Sequence, residues 1–315
     1  MQDESAIRCH QVSKSYRARW FGKNRYVRAV DGISLSVGYG RIIGLIGPNG
    51  AGKTTLMNLI AGVLHLDSGN LLVGGHPVGS REAKRSLGYV PEFPAFLENY
   101  KVEATLGYHA ALCHLSRSRR RRRTGELLDQ FGLYDMRTRR CGMLSQGNRQ
   151  RLALAIACVM QPGILILDEP SNGLDPVGLA DLREIIRRLS EQGTAVLISS
   201  HRLDELEKLT SDFIGIWNGR AVDVSKSLFG RDGHVLKLNL DRLPPEGLSR
   251  VLPHEILSQS GTEVTLRIGS PAEIASVVAQ LAAGGVTVRH LQYGDKEESI
   301  EDAFLRLSRK RGAGE

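Results

Sequence analysis

Cysteine is scarce in this sequence. Four cysteines occur in 315 residues, and no two of them form a C-x-x-C pair. They are Cys9, Cys113, Cys141 and Cys158. Scattered thiols of this kind argue against a disulfide framework and against a zinc site, and they are typical of reduced, cytosolic proteins.

Long hydrophobic runs are also missing. A helix that crosses a membrane needs about 18 consecutive apolar residues, and no run in this sequence approaches that length. The first ten residues lack the basic-then-apolar layout of a secretion signal. We therefore expect any contact with a membrane to be peripheral or to go through a partner.

Acidic residues are outnumbered by basic ones. The sequence has 34 Asp and Glu against 42 Lys and Arg, which gives a formal net charge of +8 and a sequence pI of about 9.5. This balance favours acidic partners, namely a nucleotide, a nucleic acid or an anionic membrane surface. The length is sufficient for about two domains with a sizeable core.

A glycine-rich loop carries the strongest functional signal. Residues Gly47–Thr54 fit the pattern G-x-x-x-x-G-K-[ST]. The apolar run Ile42–Ile46 before the loop predicts a buried parallel strand, and an amphipathic helix is predicted after it. The predicted buried face of this helix is Leu56, Leu59, Ile60 and Val63, at i, i+3, i+4 and i+7.

This loop has the composition that a triphosphate requires. Glycines let backbone N–H groups turn inward around phosphate oxygens, and the helix N-terminus directs partial positive charge at the same place. Lys53 can reach the β- and γ-phosphates, and the Thr54 hydroxyl can ligate Mg²⁺. A chance match in an ordinary turn is the alternative; the flanking strand and helix favour nucleotide binding. The loop alone does not identify the nucleotide.

The segment before the loop predicts a β-hairpin. Residues 5–38 alternate apolar and polar positions, which indicates two antiparallel strands joined by a longer connection over residues 17–26. An exposed aromatic side chain near this hairpin could stack on a base. Tyr16 is the candidate, Trp20 and Tyr26 are its rivals, and simple packing on the sheet is an equally good explanation.

Two further apolar strands end in residues that suit phosphoryl chemistry. Asp168 and Glu169 follow one strand, and His201 follows the next. Open α/β sheets bind ligands at such strand ends. One acid can hold Mg²⁺, directly or through water, and the other can polarise an attacking water. Acids at strand ends can also merely cap a loop; the P-loop favours the functional reading.

The sequence LSQGN predicts a second anion-binding position. Ser145 and the Gly147 backbone lie where a helix is predicted to begin. One phosphate group has no need of two helix N-termini from a single small domain. A head-to-tail dimer does, because the loop of each copy would then close over the nucleotide held by the other.

Two other segments differ in composition from the rest. Arg117–Arg123 contains six arginines, which indicates a solvated face or a disordered loop, or alternatively contact with acidic lipid headgroups. Beyond about residue 225 the pattern changes to short strands around one clear helix, predicted to begin at Ser270–Pro271, and a last helix over residues 299–310. The predicted buried residues of the clear helix are Ile274, Val277, Val278 and Leu281.

These motifs, in this order, resemble the ATPase subunit of an ATP-binding cassette (ABC) transporter. The resemblance covers residues 1–225, about 70% of the chain. The matching motifs are Walker A at Gly47–Thr55, the Q-loop position at Glu92, the signature at Leu144–Asn148, Walker B at Ile164–Asp168, the catalytic glutamate at Glu169, the D-loop at Ser171–Asp175 and the switch histidine at His201. The tail and its ending SIEDAFLRL resemble the drug-exporter branch of the family.

This resemblance implies an α/β fold. The first domain, residues 1–225, is expected to be a P-loop NTPase with a RecA-like core, an antiparallel β subdomain and a helical insert at about 93–157. The second, residues 226–315, is expected to be a small α+β domain with a regulatory or dimer-stabilising role.

The resemblance also implies the site. The residues expected to bind ATP are Tyr16, Gly47, Pro48, Asn49, Gly50, Ala51, Gly52, Lys53, Thr54, Thr55, Ser145, Gly147 and Asp175. The residues expected to hold Mg²⁺ are Thr54, Glu92 and Asp168. The expected catalytic residues are Glu169 and His201.

Two positions depart from the usual family pattern. Glu92 replaces the glutamine of the Q-loop, which keeps an oxygen for Mg²⁺ and adds a charge. The signature reads LSQGN rather than LSGGQ, so that Gln146 and Asn148 replace Gly and Gln while Ser145 and Gly147 are kept. Both kinds of variant are similar to forms in the export branch, so we expect an active enzyme.

The expected function is ATP hydrolysis in a membrane exporter. ATP closes a head-to-tail homodimer, hydrolysis reopens it, and a separate transmembrane permease uses the motion. Residues Phe93–Tyr108 are expected to receive the permease, and the protein is expected to be cytoplasmic and peripheral at the inner face of the membrane. The alternative is a non-transport ABC ATPase that acts on ribosomes or nucleic acid, but the sequence lacks the paired cassettes, long coiled coils and zinc motifs of such proteins. A nucleic-acid partner is therefore not expected.

Overall fold

The computed structural model describes residues 5–20, 23–201, 203–210, 212–222, 234–245, 247–268 and 272–294. The chain divides into two compact units, Met1–Val224 and Ser225–Glu315.

The strands of the first unit are β1 (Ser5–Trp20), β2 (Lys23–Gly38), β3 (Ile42–Ile46), β4 (Ser68–Val73), β5 (His76–Pro77), β6 (Leu87–Val90), β7 (Ile164–Leu167), β8 (Ala195–Ser199), β9 (Phe213–Trp217) and β10 (Arg220–Val222). Its helices are α1 (Lys53–Ile60), α2 (Arg81–Ser86), α3 (Val102–Leu112), α4 (Arg117–Gln130), α5 (Gln146–Ala157), α6 (Pro176–Glu191) and α7 (Leu203–Glu207).

A six-stranded sheet forms the centre of the first unit, in the order β10-β9-β3-β8-β7-β6. All neighbouring pairs are parallel except β10 with β9. Strands β7 and β8 are buried along their whole length, as expected for parallel strands covered on both faces. Val90 pairs with Leu167, and Leu45 pairs with Ser199. The carboxyl ends of β3, β6, β7 and β8 therefore lie at one edge of the sheet.

A second, antiparallel sheet has the order β2-β1-β4-β5. The predicted connection over residues 17–26 was wrong, because most of it is paired strand. Arg17 pairs with Tyr26, and Trp20 with Lys23. Hydrogen bonds between strands use backbone groups and do not require apolar and polar side chains to alternate. The β1–β2 pairing therefore continues beyond the residues that show this alternation. The side chain of Trp20 lies outside the described part of the chain.

The helix after the glycine-rich loop is shorter than predicted. Leu56, Leu59 and Ile60 are buried, as expected. The helix ends at Ile60, and Val63 is 60% exposed. The backbone turns there, with the N–H of Gly62 bonded to the carbonyl of Leu59, so Val63 does not continue the buried face.

The arginine-rich segment is helical. Arg117–Arg123 forms the first half of α4, whose buried residues are Leu127 and Leu128. Most of these arginines are exposed. Arg120 and Arg123 are half-buried. The side chain of Arg123 is 12% exposed, and its guanidinium donates to the carbonyls of Cys158 and Val159. One arginine of the run is therefore structural.

The second unit contains a four-stranded antiparallel sheet in the order β12-β13-β11-β14. Its elements are β11 (His234–Leu240), α8 (Leu248–Val251), β12 (Ile256–Ser260), β13 (Glu263–Ile268), α9 (Glu273–Ala283) and β14 (Val288–Gly294). Val277 and Leu281 of α9 are buried and Ile274 packs against this core, whereas Val278 is only half-buried. Ser270–Pro271 and the predicted closing helix, residues 299–310, lie outside the described residues.

None of the helices in the described ranges is long and apolar enough to cross a membrane.

Candidate functional site

A cavity of about 360 Å³ opens at the edge where β3, β6, β7 and β8 end. This volume lies in the range of small-molecule sites. The lining residues are Ala29, Asn49, Gly50, Ala51, Gly52, Lys53, Thr54, Thr55, Glu92, Glu169, Asn172 and His201. The sheet thus brings together residues that are separated by up to 172 positions in the sequence.

Lys53 is the first residue of α1, and its ammonium group lies against the glycine-rich loop. Its side chain is 6% exposed. The ammonium Nζ donates to the carbonyl of Gly47 at 2.7 Å and to that of Pro48 at 3.2 Å. Burial lowers the pKa of Lys53, and the nearby carboxylates, with Glu169 foremost, partly oppose this shift. The loop therefore holds a desolvated cation where the phosphates of a nucleotide would be bound.

Gly52 fixes the position of this loop. Its φ of +110° favours glycine, and a Cβ here would lie 2.2 Å from the carbonyl oxygen of Ala29. The hairpin register skips Ala29, since Lys14 pairs with Val30 and Ser15 with Arg28. This irregularity places the Ala29 backbone against the start of α1, so the antiparallel sheet forms one wall of the cavity.

Ser199 links the two acids. Its hydroxyl donates to Asp168 Oδ1 at 2.7 Å and accepts from the Glu169 backbone N–H at 2.8 Å. Asp168 is 1% exposed, and its Oδ2 has no hydrogen-bond donor among the described residues. A buried carboxylate oxygen without a donor costs free energy unless a cation balances it. Asp168 therefore has the character of a cation ligand.

Glu169 and His201 form a pair beside Lys53. His201 Nδ1 lies 2.9 Å from Glu169 Oε2, and the His201 backbone N–H donates to the same oxygen at 3.3 Å. Glu169 Oε1 lies 4.0 Å from Lys53 Nζ. The φ of Glu169 is +47°, a left-handed value that is uncommon outside glycine. The fold thus holds this carboxylate between a cation and an imidazole.

Glu92 follows β6 and lies in the same cavity. Its Oε1 accepts from Asn172 Nδ2 at 3.3 Å. In the sequence, Asn172 falls within the expected D-loop segment Ser171–Asp175, and no motif predicts a role for Ser199. The signal for Ser199 was a hydroxyl at the end of an otherwise apolar strand.

Six of the predicted ATP-binding residues are not among those that line this cavity: Tyr16, Gly47, Pro48, Ser145, Gly147 and Asp175. The carbonyls of Gly47 and Pro48 nevertheless accept hydrogen bonds from Lys53, which does line it. Ser145 caps α5, and its Oγ accepts from the backbone N–H of Asn148 at 3.4 Å and from Asn148 Nδ2 at 3.0 Å. Asp175 caps α6 by accepting from the Gly178 N–H at 2.8 Å.

Gly147 faces open space, since a Cβ there would meet no atom within 4 Å. Tyr16 is 40% exposed and Tyr26 is 70% exposed.

Comparison with known proteins identifies the family. The ABC transporter family model matches residues 30–172. The chain is 35% identical to the daunorubicin resistance ATP-binding protein DrrA2 of Streptomyces coeruleorubidus, over 97% of this chain and 96% of that protein. It is also 35% identical to the lantibiotic transport ATP-binding protein SrtF of Streptococcus pyogenes, over 69% of this chain and 89% of that protein. A solved ATP-binding subunit of an ABC transporter aligns with a TM-score of 0.60 and 27% identity, covering 72% of this chain and 94% of that one.

These matches confirm the predicted P-loop fold class. The chain therefore belongs to the ABC transporter family, in which it is an ATP-binding subunit that hydrolyses ATP.

Proposed function

We propose that this chain is the ATPase subunit of an exporter, in which two copies close head to tail around ATP and drive a separate transmembrane permease. The observation that carries this proposal is the convergence of Lys53, Glu169 and His201 on one cavity. Export is supported by two relatives, a daunorubicin resistance protein and a lantibiotic transport protein. The basic net charge was the one feature that suggested a nucleic-acid partner, and the relatives do not favour that alternative.

Nucleotide binding is assigned to the glycine-rich loop. Its backbone N–H groups and the N-terminus of α1 would receive the phosphate oxygens. Lys53 would exchange its contacts with the carbonyls of Gly47 and Pro48 for contacts with the β- and γ-phosphates. This exchange relieves the cost of burying the ammonium group, because the phosphates supply opposite charge.

The chain also offers ligands for Mg²⁺. Asp168 Oδ2 is buried without a donor among the described residues, and Thr54 and Glu92 line the adjacent cavity. No group of three His, Cys, Asp or Glu side chains that could hold a metal occurs in the described part of the chain. This fits Mg²⁺, which keeps several waters and binds through one or two carboxylates and the substrate phosphates. When bound, the ion would neutralise charge on the phosphates.

Hydrolysis is assigned to Glu169 and His201. Glu169 would orient the attacking water and accept its proton while the water oxygen bonds to the γ-phosphorus and the bond to ADP breaks. His201 would contact the γ-phosphate, with its ring held by Glu169 Oε2. Lys53 stabilises the negative charge that spreads over the transferred group.

Dimerisation is assigned to Ser145, Gly147 and Asp175. The signature residues Ser145 and Gly147 do not reach the cavity of their own chain, and Gly147 faces open space. A second copy in head-to-tail arrangement would use this helix N-terminus to bind the γ-phosphate. Asp175, at the start of α6, would lie in the same interface.

The variant Glu169→Gln tests this function. Loss of a general base lowers turnover by about 10²- to 10⁴-fold, so ATPase activity should nearly vanish while ATP binding persists. With ATP, this variant should form a dimer in light scattering, and adding Ser145→Arg should prevent it by bulk and charge. Turnover within a few fold of the wild type, or a monomer under every condition including with the permease, would contradict the proposal.

The permease is expected to dock on Phe93–Tyr108. Phe93, Leu97 and Tyr100 are 80%, 54% and 50% exposed, which leaves apolar surface for a partner. Phe96 differs, because the Arg149 guanidinium lies 5.4 Å above its ring and so part of the segment packs within the unit.

Phe93→Glu should therefore abolish recruitment to membranes that contain the permease and leave basal ATPase activity intact. Val63→Glu, at another exposed apolar residue, is the control. Normal recruitment and transport with a folded Phe93→Glu variant would exclude this docking surface.

A further inference from the structure

The arginines of α4 exceed the acids available to them. Arg122 and Arg123 share one carboxylate, with Glu126 at 3.4 Å and 3.0 Å. The other four arginines of the run have no carboxylate within ion-pair distance among the described residues. They are Arg117, Arg119, Arg120 and Arg121. A solvated helix that only needs to be soluble usually intersperses both signs of charge, so this imbalance points to an anionic partner.

Three of these arginines line a groove of about 620 Å³ between α3 and α4. We call it the basic groove; its charged residues are Arg117, Arg120, Arg121, Arg137 and Glu103. Four guanidinium groups thus face a single carboxylate. Guanidinium groups bind phosphate oxygens through paired N–H donors, which suits them to a phosphate better than lysines.

The basic groove also has apolar and aromatic walls. Leu128 and Tyr134 line it, and Tyr134 is 49% exposed. The Arg137 guanidinium lies 4.2 Å from the centre of the Tyr134 ring. A side chain added at Gly107 or Gly125, which also line the groove, would meet no atom within 4 Å, so the groove is not crowded at these two positions. A cationic site with a tyrosine and apolar walls resembles the residues that proteins place at the membrane–water interface.

A second depression repeats this combination. Arg81, Lys84 and Arg85 line it together with Leu112 and Met160, and none of its lining residues is acidic. Leu112, the last residue of α3, is 56% exposed. Basic and exposed apolar groups therefore occur together on more than one part of this surface.

We propose that the basic groove binds the phosphate headgroups of anionic phospholipids at the membrane surface beside the permease. This rests on the proposed function, because the expected docking segment Phe93–Tyr108 and the groove share α3. The family places the work of this chain at a membrane, and the apolar groups beside the arginines suit the headgroup region. Each arginine near an anionic surface strengthens association by about fivefold, so the groove would orient the cassette on the membrane rather than anchor it alone.

Vesicle flotation of the full-length protein tests this inference. Vesicles of equal parts phosphatidylglycerol and phosphatidylcholine should bind the wild type, and vesicles of phosphatidylcholine alone should not. The triple variant Arg117→Gln, Arg120→Gln, Arg121→Gln should bind about 100-fold more weakly, because three fivefold contributions are lost. Glutamine retains helix propensity close to that of arginine, so α4 and the basal ATPase activity should persist.

A charge-matched variant supplies the control. Arg28→Gln, Arg41→Gln, Arg188→Gln removes three exposed arginines that pair with acids elsewhere, and its vesicle binding should fall much less. Equal loss in both triple variants, or no binding by the wild type, would overturn the lipid site.

A groove variant that binds vesicles normally but loses recruitment to neutral membranes containing the permease would assign the groove to an acidic protein segment instead. Stronger, equally arginine-dependent binding to an RNA homopolymer would assign it to nucleic acid. ATPase activity is measured on the same samples. Lost vesicle binding with normal activity concerns the groove alone, whereas an inactive wild type would contradict the proposed enzymatic function.

Discussion

At the residue scale, the position of a single hydroxyl sets the geometry of both acids. Ser199 is fully buried and bridges Asp168 Oδ1 and the Glu169 N–H. The Glu169 backbone N–H donates to this side chain of β8, and the positive φ of Glu169 turns the chain that follows away from the direction of β7. The arrangement shows why a serine, and not another aliphatic residue, ends this strand.

We expect Ser199→Ala to lower ATPase turnover by roughly 10- to 100-fold, the usual effect of removing a partner that orients a ligand. It should also lower the free energy of unfolding by about 1–3 kcal/mol, since two buried polar groups lose their partner. Steady-state kinetics and urea denaturation measure the two effects. The control Ser190→Ala removes one partly buried hydrogen bond, to the Gly40 carbonyl, and should affect only stability. Wild-type turnover in Ser199→Ala would show that the bridge does not position the acids.

The variant signature makes a second prediction. Asn148 Nδ2 donates to Ser145 Oγ, which leaves the hydroxyl hydrogen of Ser145 available to an anion. In Asn148→Asp the carboxylate would accept that hydrogen and add a negative charge. Hydrogen bonds to charged groups are worth about 1.5–3 kcal/mol, so ATP-dependent dimerisation and turnover should fall by about tenfold or more.

Nucleotide binding to the monomer should not change in Asn148→Asp. Asn148→Gln keeps the amide donor and serves as the control, with activity near the wild type. Analytical ultracentrifugation with ATP gives the dimerisation constant, and an unaltered constant in Asn148→Asp would refute this account of the loop.

At the element scale, the glycine-rich loop depends on contact with a different sheet. A Cβ at Gly52 would lie 2.2 Å from the Ala29 carbonyl oxygen, so Gly52→Ala must displace either the loop or the hairpin. We expect ATP affinity to fall by at least tenfold, measured with a fluorescent ATP analogue. Gly193→Ala is the matched control, because Gly193 has a similar φ of +97° but nothing within 4 Å of its Cβ position. The control should lose about 1–2 kcal/mol of stability and bind ATP normally. Equal ATP affinity in both variants would disprove the steric explanation.

At the scale of the whole molecule, the two units have separate cores. The first core joins the antiparallel sheet, α1 and the central sheet, and the second joins β11, β13, α8 and α9. The units meet in the sequence at Val224–Ser225, beside the predicted boundary. The role of the second unit in regulation or dimer stability remains a proposal.

We expect a fragment of residues 1–224 to fold and bind ATP, because the described residues of its core cluster all belong to the first unit. Circular dichroism during urea denaturation should show one cooperative transition, and nucleotide affinity should match that of the full chain. Dimerisation is the informative comparison, since a dimer-stabilising second unit predicts weaker ATP-dependent association of the fragment. A fragment that is unfolded in the absence of denaturant would contradict the two-unit description.

Local elements of this protein follow from its amino-acid sequence alone. The strand Ile42–Ile46, the start of α6 at Asp175–Pro176 and the acids after β7 all follow from apolar runs, caps and turn residues. The family's motif order then identified the nucleotide and the expected roles of Glu169 and His201. The strand, the helix start and the position of the acids depend on neighbours within a few positions, which a sequence pattern records directly.

Contacts between residues far apart in the sequence follow instead from strand order and packing. The register of β7 against β8 places Ser199 between the two acids, and the skipped residue Ala29 forms the wall against Gly52. The exposure of Val63 and the continuation of the β1–β2 ladder also depended on packing and pairing that alternation does not encode. Contacts of this kind arise from strand order and register, which long-range packing selects among many arrangements that share the same local pattern.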